Sequence, residues 1–78
     1  MQIGCGATTK EIRGRPYLYF WHYEERGGRR VQIYTYVGSA RSPVARGRLS
    51  ELIADYYDRV EQELRRRRED ALARSLPG

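Results

Sequence analysis

The sequence predicts an α+β fold: a small antiparallel β-sheet of two to three strands, followed by one long C-terminal α-helix. Three observations carry that reading. Residues 17–25, YLYFWHYEE, place Tyr17, Tyr19, Trp21 and Tyr23 at every second position, which is the period of a strand with two unlike faces. Residues 26–29, RGGR, set two adjacent glycines between this run and a second strand-like run, and such a pair supplies the positive φ angles of a tight hairpin turn. From Leu49 onward the apolar period changes from two to three and four, the spacing of an amphipathic helix.

Taken in order, TTKEIR at 8–13 reads as a first strand, ended by Gly14 and Pro16. The hairpin follows, its arms at 17–25 and 30–37. With Gly27 and Gly28 as the loop, partners across it pair Glu24 with Val31, His22 with Ile33, Phe20 with Thr35 and Leu18 with Val37. The other face pairs Tyr23 with Gln32, Trp21 with Tyr34 and Tyr19 with Tyr36, with Tyr17 at its end. One face is mainly aliphatic and the other is Tyr and Trp.

Residues 43–75 read as helical, with Ser42 as N-cap and Pro43 in the first turn. Gly47 is expected to divide a short initial turn from a main helix at about 48–75. Leu49, Leu52, Ile53, Tyr56, Val60 and Leu64 form its apolar stripe. Asp55 with Arg59, Glu61 with Arg65 and Glu63 with Arg67 are acid-before-base pairs four apart, each adding a few tenths of a kcal/mol. Such a helix is roughly 42 Å long, against roughly 27 Å for a hairpin arm. Its first half therefore packs on the aliphatic face, and the part from Leu64 onward projects or meets another subunit.

At 78 residues the chain forms a single domain, residues 1–78, close to the size below which one core needs a staple. Cys5 is the only cysteine, so no intramolecular disulfide and no Cys/His zinc site is available. No stretch has the apolar length of a signal peptide or a membrane span. The expectation is a cytoplasmic protein with no membrane partner, stabilised as a homodimer. Its net charge is +5, carried by 14 Arg and one Lys against ten acids. Residues 1–41 hold seven basic and three acidic side chains, residues 42–64 three and five, and residues 65–78 five and two. The positive charge thus lies on the sheet and at the far end of the helix.

Six large aromatics on one outer face, Tyr17, Tyr19, Trp21, Tyr23, Tyr34 and Tyr36, make a larger patch than monomers leave in water. Nucleic acid is one occupant. Bases stack on aromatic rings, Arg pairs with phosphate in two-pronged fashion, and a sheet can enter the major groove of DNA. Arg13, Arg15, Arg26, Arg29, Arg30 and Arg41 all fall on or beside this sheet. A protein interface is the other occupant, since Tyr and Trp are enriched in interface cores; the chain is then an assembly module that self-associates through its aromatic face. Salt dependence separates the two, because phosphate contacts weaken steeply with ionic strength.

Residues 14–38, GRPYLYFWHYEERGGRRVQIYTYVG, resemble the Tyr-rich hairpin of N-terminal regions in some transposases and small archaeal or mobile-element proteins. There a Tyr-rich strand, a YxExGG(K/R)(K/R) turn and a strand ending in YxG recur; here these are Tyr17, Tyr19, Tyr23, Glu25, Gly27, Gly28, Arg29, Arg30, Tyr36 and Gly38. The layout is also similar to the three-strands-then-helix DNA-binding domains of plant ethylene-response factors and to recombinase arm-binding domains. The resemblance covers about a third of the chain and implies a DNA-binding module.

No catalytic, cofactor or metal site emerges. Glu24 and Glu25 are strand neighbours pointing to opposite faces, so they cannot act together on one substrate; Glu25 is placed to pair with Arg30. His22 falls on the packed face. Cys5 lies in a Gly-flanked end, expected to be mobile. The run Arg65–Arg68 sweeps around the helix and reads as a solvated face or a second phosphate grip.

Overall fold

The computed structural model describes residues 3–76. Three strands and one helix follow in order: β1 (Cys5–Ile12), β2 (Arg15–Arg26), β3 (Arg29–Ser39) and α1 (Pro43–Ser75). The strands form an antiparallel meander, β1-β2-β3. This is the α+β layout that the sequence predicts.

Two-residue turns close both hairpins. Gly27 and Gly28 have φ of 57° and 77°, and Arg13 and Gly14 have 53° and 76°. Positive φ at both central positions matches the right-handed twist of the flanking strands. The glycine pair sets the β2–β3 register, with Glu24 opposite Val31, His22 opposite Ile33, Trp21 opposite Tyr34 and Tyr19 opposite Tyr36.

Four details differ from expectation. β1 begins at Cys5 rather than residue 8, and Arg13 lies in the turn rather than in the strand. Leu18 pairs with Gly38 instead of Val37, because the ladder slips between Leu18 and Tyr19; Gly38, at φ 153°, accommodates the irregularity. Gly47 does not divide the helix, which runs unbroken from Pro43. Its cost of about 1 kcal/mol relative to Ala is offset by the cap before it: Ser42 Oγ accepts from the Ala45 N–H at 3.3 Å.

The aliphatic face of the sheet receives α1. Leu18, Phe20, Val37, Ala45 and Tyr56 form the buried cluster, with Phe20 only 2 % exposed, and Cys5, Ala40, Leu49, Leu52, Ile53 and Val60 pack around it. Cys5 is therefore a half-buried strand residue opposite His22, not a mobile end. The pKa of the Tyr57 phenol is raised, with the neighbouring Cys5 thiol as the main cause. Residues 64–76 are exposed and project past the sheet. The radius of gyration is 17.1 Å, against about 11–12 Å for a compact chain of this length. The molecule is long and thin, at 63 × 25 × 12 Å.

Candidate nucleic-acid interface

Alternation along β2 decides what each face carries. Leu18, Phe20 and His22 point into the core and are buried, while Tyr17, Tyr19, Trp21 and Tyr23 point away from α1. β3 adds Tyr34 and Tyr36 to the outer face, where they are 50 % and 54 % exposed. The ring contacts fall into two groups on this face. Tyr36 lies 6.1 Å from Tyr17 and 5.5 Å from Tyr19, the latter edge-on, and Trp21 meets Tyr23 edge-on at 5.4 Å.

β1 shapes this surface through its glycines. A Cβ at Gly6 would lie 2.8 Å from the Trp21 ring, and one at Gly4 would lie 3.2 Å from the Tyr23 ring. Both rings therefore lean over β1, which is why they are half-buried where Tyr34 and Tyr36 stand open. Glycine at these positions is required by ring packing rather than by backbone conformation.

The cations fall into three groups. Arg13, Arg15 and Arg41 gather at one end, where the β1–β2 turn meets the end of β3. Arg26 and Arg29 flank the glycine turn at the other end and face each other across the ladder on the α1 side of the sheet, the side of Glu24 and Val31 and not of the rings. Between the ends, the Arg30 guanidinium sits 4.8 Å above the Tyr23 ring, and it lies opposite Glu25 as the register requires. Lys10, which sequence reasoning missed, belongs with Arg30. Its ammonium is 4.7 Å from the Tyr19 ring and 5.2 Å from the Tyr34 ring, within cation–π range. Only the β1–β2 register brings Lys10 onto this face, through its partner Tyr17. A Lys in a polar strand carries no local signal of that placement.

The opposite face holds the remaining polar groups. His22 Nε2 lies 3.0 Å from Glu24 Oε1, and Arg26 Nε donates to Glu24 Oε2 at 3.1 Å. Those partners, His22 above all, hold the Glu24 carboxyl below its ordinary pKa. His22 is also stacked on Phe20 at 5.5 Å and lies 5.8 Å from Tyr56, so it is a packed core residue. Farther along α1, Glu63 accepts from Arg66 at 2.6 Å and from Arg67 at 3.0 Å. The latter is one of the pairs the sequence predicts.

The chain matches no family model, no curated protein and no solved structure. The geometry of the outer face is therefore the ground for a functional reading. No helix among the described residues is long and apolar enough to cross a membrane.

Proposed function

We propose that this protein binds nucleic acid, DNA in the first place, through the outer face of its sheet. One observation carries the reading: six aromatic side chains share one face of the sheet that no element among the described residues covers, with Lys10 and Arg30 held over its rings and Arg13, Arg15 and Arg41 at one end. Rings and cations together suit a polyanion with stacked bases. DNA is favoured because its major groove, about 12 Å wide, admits strands, whereas that of A-form RNA is too narrow. A regulatory, architectural or mobile-element role follows from such a module.

The reading includes a homodimer. Five apolar side chains are buried in the cluster, little for a chain without a staple, and association buries what one small core cannot.

The test is a titration of labelled duplex and single-stranded DNA at low and high salt, following the fluorescence of Trp21, the only tryptophan. Binding that weakens steeply with salt and changes the Trp21 signal supports the reading, with the slope giving the number of phosphates contacted. Arg29→Ala with Arg30→Ala, and separately Lys10→Ala, should weaken binding and flatten that slope. No binding at low salt would remove the nucleic-acid reading and leave the aromatic face as a protein interface.

A further inference from the structure

The helix carries a second apolar line that the sheet covers only in part. Ala45, Leu49, Leu52 and Tyr56 pack against the strands. Roughly 70° around the helix, at about 100° per residue, Ile53, Tyr57, Val60, Leu64 and Ala71 succeed one another at spacings of four, three, four and seven. Arg67 occupies the step between Leu64 and Ala71. This is the alternation of a coiled-coil seam. Ile53 and Val60 are half-buried beside the sheet, but Tyr57 and Leu64 are 43 % and 47 % exposed, and the line runs out along the projecting half of α1.

Reversed against itself, the line is self-complementary. In an antiparallel pair whose partners' numbers sum to 124, Ile53 meets Ala71, Val60 meets Leu64, and Tyr57 meets Arg67. The last is a ring facing a cation whose aliphatic stem can lie in the seam. Charge selects the same direction. Residues 51–59 hold three acids and one Arg, while residues 65–73 hold four Arg and two acids; antiparallel pairing sets these segments opposite each other. Parallel pairing would set Arg65–Arg68 against their own copies, which repel.

We propose that two copies of the chain pair through α1, antiparallel, about a two-fold axis at the level of residue 62. Each projecting helix half then lies along the sheet-supported half of its partner, and both aromatic faces stay open because the seam belongs to the helical layer. The inference rests on the homodimer part of the proposed function and not on nucleic-acid binding.

Two measurements on the full chain test it. Sedimentation over a concentration series should show a dimer, weakened more than about tenfold by Leu64→Glu, a residue already half-exposed in the single chain. In a Cys5→Ser background, separately tagged Ile53→Cys and Ala71→Cys chains, mixed and oxidised, should give the mixed disulfide. Ala71→Cys alone should give none, because the two copies of residue 71 would sit about 27 Å apart along the axis. Should Ile53→Cys fail to fold by circular dichroism, Tyr57→Cys with Arg67→Cys repeats the test. A monomer at every concentration would remove the homodimer altogether. A dimer that cross-links 71 to 71, or one that gives no mixed disulfide, would overturn the antiparallel register alone.

Discussion

The Tyr56 hydroxyl accepts a hydrogen bond from the Gly4 N–H at 2.9 Å, joining the middle of the helix to the start of the sheet across 52 positions of sequence. Tyr56 is at once a core ring, 5 % exposed, and a clamp on the β1 edge. Gly4 in turn accepts from the Tyr23 N–H at 3.2 Å, so the clamp extends the β1–β2 ladder beyond Cys5.

Tyr56→Phe should keep the ring packing and lose the clamp. The cost expected is about 1 kcal/mol, read by urea denaturation. Hydrogen exchange at the Tyr23 amide should quicken more than at Trp21, since only the start of β1 is released.

Arg13 adopts a left-handed conformation at φ 53°, which costs a non-glycine residue about 1 kcal/mol. Asparagine tolerates that region and, before Gly14, completes the favoured Asn-Gly turn. Arg13→Asn is expected to raise stability by about 0.5–1 kcal/mol in thermal or urea unfolding. If Arg13 also contacts phosphate, the same variant binds DNA more weakly, giving opposite signs in the two assays.

Gly6→Ala should push the Trp21 indole off β1, because the new methyl would stand 2.8 Å from the ring. Overpacking of this kind costs about 1–3 kcal/mol. Trp21 emission should shift to the red as the ring moves into water, whereas an unmoved emission maximum would show that β1 yields instead of the ring.

Glu24 and Glu63 both have lowered pKa values, the first through His22 and then Arg26, the second through Arg66 and then Arg67. A carboxyl whose folded value is depressed contributes stability that is fully present above its unfolded value, 4.5 here, and is lost as pH falls through the folded one. Wild-type protein should therefore lose stability below about pH 4.5, and Glu24→Gln with Glu63→Gln should flatten that decline while lowering stability at pH 7. Glu63 is half-buried but its Arg66 and Arg67 partners are exposed, so added salt should weaken its share.

The hairpin was legible because its determinants are local: a glycine pair fixes the turn, and strict alternation then assigns every side chain from Leu18 to Tyr36 to a face. The helix was legible for the same reason, from its apolar spacing and the Ser42-Pro43 start. What escaped has tertiary causes. Residues 4–7, GCGA, look like a loose end, yet their glycines are there to receive the rings of Tyr23 and Trp21. Lys10 could not be placed before β1 had a register, and Arg13 occupies a conformation that its residue type argues against. The slip at Leu18 depends on Gly38, which also lets the start of the helix come close; a Cβ there would lie 3.0 Å from that of Ala45.

The two tight turns described above also bear on how the chain reaches this fold. Each strand pairs only with its neighbour in sequence, and each loop is two residues long, so little loop entropy opposes the search. Hairpins of this kind form in about 1–10 μs, and low contact order places such topologies among the faster folders of their class. The slowest step should then be the docking of α1, when Tyr56 reaches back to Gly4 and the sheet first acquires an inside.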